Sequence, residues 1–295
     1  MKKYIICIVA FMLTIATTAQ TINTEISEEG RAPFLLGKIN KNGLITENYS
    51  AWFSKNYDDY TLDTNTINAI KSTLKNYTIT IFMGTWCGDS KQEVPRFYKV
   101  LEACDFPEEQ LTVIAVSRAQ NMYKQSPQHE EKGLNIHRVP TFIFYKNGKE
   151  VNRIVEHPVD SFEKDIEHII ITNNYKSNYQ IVAQVNAIIE QEGLNALKRK
   201  RKTLVKTFAN NVSSMYELNT YGRILLGTDR TLEAIEVYKL NTKLFPDQPQ
   251  AYLRLAIAQT QNKQSKKAIK TLKKAIKQFP ENQDLIKNLE TLIVN

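Results

Sequence analysis

The chain changes its hydrophobic period partway along, and that change restricts the fold more than any single motif does. Up to residue 155, short β-branched and apolar runs alternate with helical patterns; after Tyr175 the strand signals stop and everything onward reads as helix. Residues 78–83 (Thr-Ile-Thr-Ile-Phe-Met) and 111–116 are short enough to be buried strands. Residues 141–145 and 150–155 form two more, joined through the hairpin signal Asn147-Gly148. Residues 90–104 place Val94, Phe97, Val100 and Leu101 on one helical face, and a helix over 159–171 closes the unit. Strand, helix, strand, hairpin and helix predict an α/β fold with a mixed sheet. Ahead of it, residues 47–74 read as two helices, the first with Trp52, Phe53 and Tyr57 on its apolar face. The polar stretch 20–32 is expected to be loose.

The helical part repeats itself. Ala234, Tyr238 and Pro246 recur 34 residues later as Ala268, Leu272 and Pro280, and Leu218, Tyr221 and Gly222 recur as Tyr252, Leu255 and Ala256. Small residues stand where two helices cross, and a proline ends the second helix. The pattern resembles the tetratricopeptide repeat, with units at 215–248 and 249–282 and a capping helix at 283–293. Two units are few for a free-standing solenoid, so helices at 178–210 are expected to complete the stack. Lys198-Arg-Lys-Arg-Lys202 and the Lys-rich stretch 263–277 read as solvated faces of amphipathic helices, the latter with Ala268, Ile269, Leu272 and Ile276 opposite.

At 295 residues the chain exceeds one ordinary core. Its 42% hydrophobic and 24% charged residues are those of a globular protein. Lys2 and Lys3, the apolar run 4–15 and the small residues Ala16 to Ala19 read as a secretory signal ending at residue 19. Its apolar run is shorter than the roughly 20 residues a bilayer span needs. The expected division is a signal over 1–19, an N-terminal extension over 20–61, an α/β domain over 62–174 and a helical repeat domain over 175–295. The location expected is periplasmic or secreted, with no integral membrane segment after cleavage. The 39 basic against 31 acidic residues leave a modest positive bias, near +6 without Lys2 and Lys3, which does not argue for nucleic acid binding. Four histidines without metal spacing give no metal site, and no cofactor is expected.

Cys7 leaves with the signal, which leaves Cys87 and Cys104. Cys87 stands where a buried strand hands over to a helix, within Phe82-Met-Gly-Thr-Trp-Cys-Gly-Asp-Ser-Lys91. Unpaired amides and the positive helix end there are expected to favour thiolate, the nucleophilic form. Trp86 is expected to cover the site, Gly88 to allow a tight turn, and Pro95 to kink the helix. These residues resemble the thioredoxin superfamily over about residues 62–173. Trp86-Cys87-Gly88 matches the start of its Trp-Cys-Gly-Pro-Cys motif and Pro95 its helix proline. Val139-Pro140-Thr141 matches the segment holding its cis-proline, and Phe144 to Gly148 the strand and turn beyond. Export and the N-terminal extension resemble the periplasmic branch. The resemblance implies a thioredoxin fold, with Cys87 as the reacting residue and Trp86, Gly88, Val139, Pro140 and Thr141 docking a client backbone.

The departures matter equally. Ser90 replaces the second, resolving cysteine, Asp89 replaces the motif's proline, and Ile81 replaces the buried Asp. A mixed disulfide normally needs a neighbouring thiol to release it, so the family's dithiol activity does not carry over. Asp89 also opposes thiolate formation. Ser90 and Asp89 are expected to cap the helix, with a bond from Ser90 to the thiolate in addition. Cys104, at the far end of the same helix and roughly 25 Å away, cannot resolve Cys87 and is expected to be a packing residue. His137 and Arg138 should lie near Cys87, as a solvated loop pair or as groups that lower its pKa. Two functions stay open. One is a monothiol thiol–disulfide protein that uses an external thiol donor. The other is a non-catalytic adaptor binding a partner protein through the α/β surface and the repeats. Peroxide reduction fits less well, because the Trp-Cys-Gly context is not that of a peroxidatic cysteine.

Overall fold

The computed structural model describes residues 21–294; the expected leader, with Cys7, lies outside them. The strands are β1 (Thr24–Glu28), β2 (Arg31–Ile39), β3 (Thr78–Met83), β4 (Leu111–Ala115), β5 (Thr141–Lys146) and β6 (Lys149–Val155). They form one sheet in the order β1-β2-β4-β3-β5-β6. β3 and β4 run parallel, and the other neighbours are antiparallel. The β5–β6 turn has Asn147 at φ 52° and Gly148 at φ 74°, the two positive values that a two-residue hairpin of this kind requires.

The polar stretch expected to be loose is instead the hairpin β1–β2. Gly30, at φ 70°, turns the chain between Glu28 and Arg31. Arg118 then holds the hairpin to the body: its guanidinium donates to Glu28 (2.9 Å) and to the Ala32 carbonyl (2.8 Å) and lies 4.8 Å over the Phe34 ring. β2 buries Phe34, Leu35 and Ile39 and pairs with β4 through Ile39↔Val113 and Gly37↔Ala115. The described part of the expected extension, residues 21–61, therefore shares its sheet and core with the residues after it.

Alternation along β3 divides the two faces. Ile79, Ile81 and Met83 point toward the helices α2 (Glu47–Asp58), α3 (Thr64–Leu74), α4 (Gly88–Ala103) and α5 (Phe162–Glu167), in one core with Phe97, Phe142 and Phe162. Phe82 points the other way, into a smaller cluster with Ile114, Val116, Ile136, Val139 and Ile143. That face is covered by the loop after β4. The closing helix starts later than 159: Ser161 caps it by accepting from Lys164 N–H, and after Glu167 it continues as a π turn over His168–Thr172. α1 (Lys41–Leu44) is a short turn leading into α2.

The helical part comprises α6 (Gln180–Glu192), α7 (Leu194–Phe208), α8 (Tyr216–Gly227), α9 (Thr231–Leu244), α10 (Pro249–Gln261), α11 (Ser265–Gln278) and α12 (Gln283–Val294). α8–α9 and α10–α11 are the two expected repeats, α6–α7 add a helical pair before them, and α12 packs on α11. Gly222 explains its own place in the period: a Cβ there would come within 2.5 Å of the buried Tyr238 ring, so α8 and α9 can cross only over glycine. Among the described residues no helix is long and apolar enough to cross a membrane.

Candidate functional site

Cys87 occupies the N-cap of α4 in extended geometry (φ −92°, ψ 131°), and its carbonyl accepts the first helical bond from Lys91 N–H (3.1 Å). The loop before it is fastened at three points. Gly84 N–H donates to Ser90 Oγ (3.1 Å), Leu35 N–H donates to Thr85 Oγ1 (2.9 Å), and Cys87 N–H donates to the Gly84 carbonyl (2.8 Å). Trp86 lies at the C-terminal end of β4, its indole Nε1 donating to the Val116 carbonyl (2.8 Å). Gly84 makes room for that indole, since a Cβ would sit 2.6 Å from it.

The loop before β5 faces the sulfur. Cys87 Sγ donates to the Val139 carbonyl at 3.3 Å and lies 3.7 Å from Asp89 Oδ2. Val139–Pro140 is a cis peptide bond, and Thr141 Oγ1 ties the loop by donating to the Arg138 carbonyl (2.7 Å). The structure thus brings Cys87, Trp86, Asp89, Ser90 and Val139 together. The side chains of Val139, Pro140 and Thr141 are buried, so contact with them by a client is restricted to the loop backbone.

Three expectations need correction. Gly88 has an ordinary φ and open space where a Cβ would be, so no tight turn demands it. Ser90 does not cap α4: fully buried, its hydroxyl accepts from Gly84 instead and locks the helix to the end of β3. Cys87 is not biased toward thiolate either. Burial pushes its thiol above the ordinary value and Asp89 adds to this, outweighing the downward pull of the Ser90 and Asp89 amides and the Ser90 hydroxyl. Cys104 is fully buried in the main core, where burial raises its thiol to about 11, and the two cysteines are unbonded. Replacing Ser90 by alanine is expected to strand the Gly84 amide and cost about 1–3 kcal/mol, read from the urea midpoint. A change below about 0.5 kcal/mol would mean that the bond does not hold the loop.

His137 and Arg138 are not a solvated pair. His137 is 7% exposed, donates through Nδ1 to the Asn135 carbonyl (3.2 Å), and meets Tyr179 and Tyr221 edge-on at 5.7 and 6.2 Å. Arg138 pairs with Glu156 (2.9 Å) and lies 4.8 Å over Tyr179. The loop that reaches Cys87 is thus also the one on which the repeat helices dock. Further ties are Gln125 to the Gly227 carbonyl (3.2 Å) and Arg230 to Asn135 (3.3 Å).

Two groups near the sulfur had no sequence signal, because residues 117–135 show neither period nor motif. Lys124 is 5% exposed; its ammonium donates to the His137 carbonyl (2.5 Å), and burial lowers it to about 8. Tyr123 packs 6.2 Å from Trp86 and lies under the Arg223 guanidinium at 3.5 Å. Among the described residues no cluster of three or more His, Cys, Asp or Glu could hold a metal ion.

Comparison with known families agrees with this architecture. The thioredoxin family matches residues 41–163, and the tetratricopeptide repeat family matches residues 225–293. No curated protein matches the chain. The chain therefore joins a thioredoxin-like domain to C-terminal tetratricopeptide repeats, a combination that supports a redox-related or protein-binding role.

Proposed function

We propose that this is an exported protein that captures clients through Cys87, acting as a single thiol. The observation that carries the reading is the Cys87 sulfur, partly exposed at a helix start and 3.3 Å from the Val139 carbonyl. In the step proposed, the Cys87 thiolate attacks a client disulfide, the Cys87–client S–S bond forms, and the client's other sulfur leaves as thiolate. An external thiol then attacks that bond, joins the client in a new disulfide and returns Cys87 as thiol, so electrons balance at each exchange. With the thiol raised above its ordinary value, attack is slow at neutral pH, and with serine at position 90 no internal thiol shortens the intermediate's life. Slow formation and slow release describe a trap better than a fast reductase. Export rests on the pattern Lys2-Lys3, apolar run and Ala19, and it would place Cys87 where client disulfides persist.

A second reading, a non-covalent adaptor, is favoured by the raised thiol and by the share of the chain given to repeats. Affinity capture from the native host, resolved on non-reducing gels, separates the two. The expected result is adducts that disappear with reductant and are absent from Cys87→Ser. Identical partners from both proteins, unaffected by reductant, would leave only the adaptor. Alkylation of Cys87 against pH is expected to titrate above the ordinary thiol value; a midpoint below it contradicts slow capture.

A further inference from the structure

α11 turns six lysines, Lys266, Lys267, Lys270, Lys273, Lys274 and Lys277, to the solvent, and its 14 residues include no aspartate, glutamate or arginine. At about 100° per residue the six fall within roughly 120° of the helix circumference, opposite the buried Ala268, Leu272 and Ala275. The stripe runs about 16 Å along the axis. None of the six makes an ion pair among the described residues, and Glu281, Asp284 and Glu290, just beyond, pair with none of them. α7 also shows cations to the solvent, but there Lys200 pairs with Glu192 and Arg201 with Glu236, and Lys239 of α9 shares Glu236. Lysines three and four apart repel one another along a helix, and Lys266 and Lys267 stand in a first turn with no acid to favour the helix dipole. A face that had only to be wetted would mix glutamates among them. Folding gains nothing from this arrangement; an anionic partner offsets both effects.

We infer that this face of α11 docks on an anionic lipid surface. A lysine ammonium is a compact charge without a fixed fork, so it suits headgroups that drift laterally and present no set geometry. Phosphates or carboxylates held in register favour arginine instead. α11 also has no aromatic ring on which a nucleic-acid base could stack. What lies beside the stripe is aliphatic: α12 packs on α11 and ends in Ile293 and Val294, both exposed. Such side chains enter the acyl boundary once cations have brought a helix to the headgroups. Every lysine near an anionic surface adds to the attraction, so six in one stripe make binding steep in lipid charge and in salt. Because the repeats dock on the loop facing Cys87, this contact would keep the thiol near the membrane surface. The inference does not rest on capture by Cys87.

The test uses residues 20–295, which contain every described element, so that the apolar run 4–15 cannot itself bind lipid. Co-sedimentation with phosphatidylcholine vesicles carrying about 30% phosphatidylglycerol is compared with pure phosphatidylcholine at about 50 mM salt. Partition onto the anionic vesicles is expected to be at least ~10-fold stronger, and the preference to vanish by about 0.5 M salt. Lys266→Gln/Lys270→Gln/Lys273→Gln/Lys277→Gln should abolish the preference. Lys270→Gln/Lys273→Gln should reduce it and serves in its place if circular dichroism shows the fourfold variant to have lost helix. Lys198→Gln/Lys202→Gln/Lys206→Gln/Lys243→Gln lowers the net charge equally and should leave more than half of it. Equal partition onto both vesicles, a preference that survives the α11 variants, or an equal loss in the control variant would each overturn the inference, the last by assigning binding to net charge. Binding of a DNA duplex without binding of anionic vesicles would overturn it in favour of nucleic acid. Cys87→Ser should keep the preference, so failure of client capture with lipid binding intact removes the capture proposal alone.

Discussion

Lowering the pH from 7 to 5 is expected to destabilise the folded chain by about 2 kcal/mol through His137 alone. Its imidazole is held down to about 3, first by burial and then by the cations Lys124, Arg138 and Arg153, against an upward pull from the Asn135 carbonyl. The folded value lies below the ordinary 6.5, so between those values the unfolded chain binds a proton that the folded chain refuses. Stability is therefore complete above about pH 6.5 and falls as pH drops through that window. The ring sits between the loop before β5 and Tyr179 and Tyr221, with Nε2 lacking a partner among the described residues, so the seam between the two parts of the molecule should loosen first. Urea midpoints at pH 7, 6 and 5 measure the slope. His137→Phe, which cannot take a proton, is expected to flatten it; an equal slope in the variant would assign the effect to other groups.

Phe97→Ala is expected to lower stability by about 3–5 kcal/mol, the usual range for emptying a buried aromatic position. The ring is fully buried, 4.5 Å from Phe142 and 5.1 Å from Phe162. It joins three elements: α4, which Cys87 caps; β5, which follows Pro140; and α5. A cavity there removes the shared contact that sets the distance between the sulfur and its facing loop. Phe97→Leu, which keeps most of the volume, should cost under about 1.5 kcal/mol. Denaturation followed by tryptophan fluorescence gives both values, and Cys87 alkylation in Phe97→Ala should quicken as the loop loosens. A loss below about 1 kcal/mol would show that the three rings do not support one another.

Much of this architecture is written locally in the chain. The apolar runs at 78–83, 111–115 and 141–146 become strands because a short β-branched segment has few other ways to bury both faces. Asn147-Gly148 turns where two positive φ values are needed. The 34-residue period places Gly222 where Tyr238 crosses, so the repeats follow from packing that each unit repeats. The position of Cys87 at a strand–helix junction was legible for the same reason. β1–β2 was not: its residues are polar, and the strands form because Arg118, ninety residues on, ties down Glu28 and because β4 offers an open edge.

The sequence alone determined which segments fold as strand or helix, where the chain passes from sheet to repeats, and that one cysteine heads α4 without a resolving partner. These are matters of period, turn chemistry and residue identity, all short-range. Tertiary structure alone decided that His137 and Lys124 are buried, that Ser90 serves Gly84, that the repeats dock on the Cys87-facing loop, and that the thiol is raised. Each depends on how much water distant segments exclude and which charges they bring near, and a linear pattern carries neither.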